Sequence, residues 1–150
     1  MKSAYKYIAM LIALDVLVQA ATIAYAFFGI GKYIDDGHSV TPTSDDHYAG
    51  LGGLAVHSVN GMIVMVLLGI VLLVVAFLSK LPGAPRAAGI LLVMIIVQVV
   101  LGLVSFAVPI LGALHGILAL LVFGYAAMIG VRVMLDDKRG AAPAGDRPAL

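Results

Sequence analysis

Apolar residues fall in four long runs, at about residues 7–30, 54–78, 87–108 and 110–134, separated by short polar stretches. Each run holds the ~20 residues that an α-helix needs to cross a hydrocarbon core about 30 Å thick. Backbone in lipid must satisfy its own hydrogen bonds, so the runs predict helices. Pro109 separates the third run from the fourth with almost no loop, which predicts a tight antiparallel hairpin. The expected fold is all-α: one integral membrane four-helix up-down bundle over residues 1–135. Two flanking segments differ in character. Residues 31–53 form an acidic loop, and residues 136–150 are small, polar and Pro-rich, which predicts a disordered tail.

The runs are not uniformly apolar. Asp15, Gln19 and Thr22 share one helix face by their i, i+4, i+7 spacing, and Gln98, Gly102 and Ser105 share another. Both stripes are expected to face the bundle interior, with Gln19 and Gln98 hydrogen-bonding between helices. Asp15 is expected in the cytoplasmic half, bound to a polar partner or on a proton route. The halves of the chain also echo each other. Val18-Gln19 is matched by Val97-Gln98, and Leu54-Ala55-Val56-His57 by Gly112-Ala113-Leu114-His115. This predicts a two-helix unit present twice, related by an axis along the membrane normal.

Composition agrees with a membrane domain. The chain has 150 residues, 63% hydrophobic and only 11% charged, and its mean hydropathy is +1.13. Soluble domains run nearer ~45–50% apolar and ~25% charged. With no cysteine, disulfides, thiolate ligation and covalent haem attachment through thiols are excluded. A net charge of +1 gives no basis for nucleic-acid binding.

Basic residues orient the bundle. Lys2 and Lys6 flank the first run, Lys80 and Arg86 lie between the second and third, and Arg132, Lys138, Arg139 and Arg147 follow the fourth. The other side holds Lys32 beside Asp35, Asp36, Asp45 and Asp46. Both termini are therefore expected in the cytoplasm, in a bacterial-type inner membrane. The first run is too long for a secretory signal core and contains Asp15 and Gln19, so it is read as a retained helix.

An ionisable side chain within a membrane span is by default a functional-site candidate. His57 and His115 each sit about one turn inside the extracytoplasmic end of an even-numbered helix. At one depth, on diagonal helices, two imidazoles are suited to be the axial ligands of one haem iron. Asn60 and Gly61 share the His57 face; Gly112 and Ala119 share that of His115, with Gly116 adjacent. The glycines leave room for a flat plate, and Asn60 is the expected hydrogen-bond partner that fixes the imidazole tautomer. Met62 and Met65 do not share the level of His57 and are read as packing residues. In the outer loop, His38 and His47 lie beside Asp35-Asp36 and Asp45-Asp46, a donor set able to hold a divalent cation or to lie over a haem edge.

The run Gln98-Val-Val-Leu-Gly102, then Pro109, Leu114-His115 and Ala119, resembles the haem A synthase family over roughly residues 54–123. The resemblance implies one four-helix half of that eight-helix fold, with His57 at the other ligand position. Where that family's catalytic unit carries a Glu before the histidine and an Arg after it, this chain has Leu54 and Ser58. The chain is similar, too, to small four-helix bacterial membrane proteins with one His on each even-numbered helix.

The expected function is a membrane protein holding one haem b through two His ligands near the extracytoplasmic face, in electron transfer or haem handling. One haem in the outer leaflet cannot carry electrons across the whole membrane, so a quinone or redox protein is the expected partner. The alternatives are a haem A synthase-like enzyme and a cofactor-free accessory subunit of a larger membrane complex. Self-association into a homo-oligomer is left open.

Overall fold

The computed structural model describes residues 1–40 and 47–141. It is all-helical among these residues. Helix α1 is Lys2–Asp35, α2 is Leu51–Ser79, α3 is Ala84–Val104 and α4 is Leu111–Ala141. All four are long and apolar enough to cross a membrane, as in a multi-pass membrane protein.

The helices overrun the apolar runs where polar residues can stay helical outside lipid. α1 continues to Asp35, closed by Lys32 pairing with Asp36 at 2.9 Å and by Gly37 at φ 90°. α4 continues to Ala141, so residues 136–141 of the expected tail are helical; residues 142–150 lie outside the described residues. α3 stops earlier than expected, at Val104, where Ser105 Oγ donates to Leu101 O at 2.6 Å. Turns over residues 105–110 then lead into α4, a longer link than Pro109 suggested.

α1 packs against α2 and α4, and α3 packs against the same two. His57 and His115 therefore sit on helices that face each other across the bundle. The core is displaced toward one end. It takes Tyr5 to Val16 from α1, Met65 to Ala76 from α2, Ala84 to Ile95 from α3 and Val122 to Val133 from α4. Ile12, Leu72, Leu91, Ile95 and Val122 are fully buried there, with Ala9, Ala76, Ala88 and Ala126 at the helix contacts. Such small residues let helices approach where no hydrophobic driving force acts between them. At that end Lys2 and Lys6 pair with Asp137 at 2.7 and 3.4 Å, and the buried Tyr5 hydroxyl donates to Ala84 O at 3.3 Å. Large apolar side chains face outward, among them Phe28, Phe106 and Leu120, each more than 70% exposed. Such a surface suits lipid.

At the opposite end α1 and α2 meet backbone to backbone. A Cβ on Gly53 would stand 2.6 Å from Thr22 O, and one on Gly50 only 2.5 Å from Tyr25 O. Gly50 also has φ 96°, which favours glycine.

Candidate functional site

The end of the bundle left out of the core holds a cavity of about 560 Å³. That is within the ~300–1,000 Å³ of small-molecule and cofactor pockets. All four helices line it, mostly with apolar side chains. Its polar groups are few: His57, Ser58, Gln19, Gln98, Ser105 and His115.

His57 and His115 meet there. Their ring centres are 6.2 Å apart and their planes cross at 67°. α2 begins at Leu51, so His57 lies nearly two turns inside its helix, a turn deeper than the apolar run implied. His115 lies about one turn inside α4.

Each imidazole is held by the helix beside it. His115 Nδ1 lies 3.0 Å from Gln98 O, and His57 Nδ1 lies 3.0 Å from Gln19 O. A carbonyl oxygen only accepts, so Nδ1 carries the proton at both rings. Nε2 is then the basic nitrogen, and no hydrogen bond reaches it among the described residues. A His that donates Nδ1–H to a carbonyl is fixed in tautomer and orientation, with Nε2 able to meet a metal.

The same two glutamines bind back. Gln98 Nε2 donates to His115 O at 2.9 Å. Hydrogen bonding orients the buried Gln19 amide the same way, its Nε2 donating to His57 O at 3.0 Å and its Oε1 accepting from the Gly61 N–H at 2.6 Å. That Nε2 also lies 2.8 Å from His57 Nδ1, but Nδ1 is committed as a donor, so the amide N–H is assigned to the carbonyl. The expected inter-helix bonding of both Gln is thus present, and its partners are the two histidines. The reciprocal Gln–His pair occurs once per half of the chain, matching the repeat in the sequence.

Asn60 does not play its expected part. Its Nδ2 donates to Asp15 Oδ1 at 2.8 Å rather than to His57, whose Nδ1 is taken by Gln19 O. Asp15 thus has the polar partner expected of it, in Asn60 of α2. Gly61, Gly112 and Gly116 all line the cavity. A Cβ on Gly61 would come within 3.2 Å of the Gln19 amide, whereas one on Gly116 would meet nothing within 4 Å. Met62 and Met65 also line it, Met65 from the core side. Three residues contribute in roles that were not foreseen. Gly102 gives the His115 ring its seat, since a Cβ there would lie 3.2 Å from the ring. The Gln19 and Gln98 carbonyls orient the imidazoles. The trace of both in the sequence is the repeated Val-Gln, one helix before each histidine.

The outer-loop histidines are separate. His38 is exposed, stacks on Tyr33 at 4.4 Å and has Nδ1 3.3 Å from Tyr33 O. His47 is exposed, and Asp45 and Asp46 lie outside the described residues. Among the described residues no three His, Cys, Asp or Glu side chains gather as a metal site.

Metal–imidazole bonds of about 2.0 Å place two ligands of one ion with ring centres about 6 Å apart. The spacing of His57 and His115 suits such an ion. Two protein donors are too few for a bare structural zinc, which takes about four. Any ion they held would have to bring its remaining ligands from outside the chain. The chain matches no protein-family model, no curated protein and no solved structure.

Proposed function

We propose that this chain binds one haem b in the cavity between α2 and α4, with Nε2 of His57 and of His115 as the axial ligands, and acts in electron transfer or haem handling. The observation that carries the reading is the pair of imidazoles 6.2 Å apart, each with Nδ1–H committed to a carbonyl and Nε2 free. The mostly apolar cavity around them is of cofactor size.

The bound group would supply one-electron chemistry at the iron. The protein's own residues hold and orient. Gln19 and Gln98 fix the imidazoles, Gly102 seats one ring, and Ile95 and Phe123 wall the cavity. Held by both His57 and His115, the iron would have no position left for oxygen, which favours electron transfer or haem transfer over oxidation. Leu54 and Ser58 line the cavity, so neither a carboxylate nor a guanidinium stands at those two positions. A quinone or redox protein completes any path across the membrane.

The remaining topology belongs to the same reading. The core is built from the first half of α1 and α3 and the second half of α2 and α4, as alternating helices require. With Lys2, Lys6, Arg132 and Lys138 at that end, both termini face the cytoplasm and the histidines face out.

The test is an absorption spectrum of the detergent-purified protein from haem-replete cells. A Soret band lost in both His57→Ala and His115→Ala supports the reading. A colourless wild-type protein, or bands that survive both substitutions, ends it.

A further inference from the structure

The two Gln–His pairs are alike except in one respect. In an α-helix His57 O would accept from the N–H four residues on, that of Gly61. Both groups are met by the Gln19 side chain: its Nε2 donates to His57 O, which also accepts from the Asn60 N–H, and its Oε1 accepts from the Gly61 N–H. The amide thus bridges the two groups that one ladder hydrogen bond would join. α2 opens there into a π turn over Asn60–Val64, where Met65 N–H donates to Asn60 O, five residues back. A side chain inserted in the ladder is one of the few causes of such a break, and π turns concentrate at functional sites.

In the second half the residue four beyond the histidine is Ala119, not glycine. Gln98 Nε2 reaches His115 O, but Gln98 Oε1 is buried with no partner. α4 runs through this point as an unbroken α-helix. The Cβ distance of 3.2 Å at Gly61 gives the reason: a methyl group there would press on the amide, and Ala119 has one.

We propose that Gln19 is the positioning residue of His57, inserted into α2 through the gap that Gly61 leaves, and that the two imidazoles are consequently held unequally. His57 is fixed at its ring and on both sides of the opened ladder bond. His115 is fixed at its ring and by one amide contact. The functional part of this inference rests on the reading that both imidazoles ligate one haem; the structural part does not.

The experiment compares wild type, Gln19→Leu, Gly61→Ala and Ala119→Gly in nanodiscs by structure determination, and times haem transfer from each to an apo-globin acceptor. In Gln19→Leu and Gly61→Ala the π turn should close to α-helix, and haem should leave about 10–100-fold faster, as when a partner holding a metal ligand is removed. Ala119→Gly should let Gln98 Oε1 reach the residue 119 N–H and open a second π turn in α4. If Gln19→Leu fails to fold, Gly61→Ala and Ala119→Gly carry the test. A π turn that persists in the loss variants, or an α4 unchanged in Ala119→Gly, overturns the insertion. Wild-type release rates in variants whose π turn has closed overturn the positioning role. A wild type without haem overturns the proposed function and leaves the structural comparison intact.

Discussion

Asn60 donates to Asp15 across the α1–α2 interface at 2.8 Å, and the second oxygen of that carboxyl, Oδ2, is buried with no partner. Leaving a buried polar atom unsatisfied costs about 1–3 kcal/mol. Asn60→Leu strips the other oxygen as well, and unfolding in detergent should show a loss of that order. Asp15→Asn keeps an acceptor for Asn60 and should be neutral or stabilising. A stability loss in Asp15→Asn comparable to that of Asn60→Leu would mean that the carboxyl has a role beyond this bond.

Contact between α1 and α2 at the cavity end depends on two glycines. Gly53→Ala would set a methyl group 2.6 Å from Thr22 O, and backbone there has to move. Overpacking of this kind costs about 1–3 kcal/mol. Gly52→Ala, one residue away with nothing within 4 Å, is the matched control and should be neutral or slightly stabilising. Thermal unfolding of both variants reads the difference, and equal stabilities would show that the helices part without cost.

The helices themselves were legible in the sequence, because ~20 apolar residues in lipid leave little other than a helix. Their ends were not. Lys32, Asp35 and Asp137 lie beyond the apolar runs yet remain helical, and Asp137 is taken up by Lys2 and Lys6, far away in the chain. The meeting of His57 and His115 could be read from their shared depth. Their hydrogen bonds could not, since a backbone carbonyl acceptor leaves no residue type to recognise. Asn60 does share the His57 face, as its spacing predicts, but both side chains turn to α1, where the register between the helices sets Gln19 opposite His57 and Asp15 opposite Asn60. Local periodicity carries no sign of it.

Gly102 gives a sharper test of how the His115 ring is seated. A Cβ there would lie 3.2 and 3.3 Å from two ring atoms, closer than most Cβ contacts. Gly102→Val should turn the imidazole off its carbonyl partner and lower haem affinity by about tenfold or more. Gly89→Ala on the same helix meets nothing within 4 Å and should bind as wild type. Titration of haem into stripped protein, followed at the Soret band, compares them. Equal affinities would argue against His115 as a ligand.

The orientation of the bundle can be read with thiol chemistry, since the chain has no cysteine of its own. Ser39 follows α1 and is exposed; Lys138 lies near the end of α4 and is exposed. Basic residues cluster with Lys138 and acidic ones with Ser39, and the proposed orientation has the former inside and the latter outside. Ser39→Cys should therefore react with a membrane-impermeant maleimide on intact cells, and Lys138→Cys only after permeabilisation. The reverse pattern would invert the bundle and move the histidine cavity to the cytoplasmic leaflet. Reaction of both on intact cells would place the two positions on one side, which a bundle crossing the membrane four times cannot do.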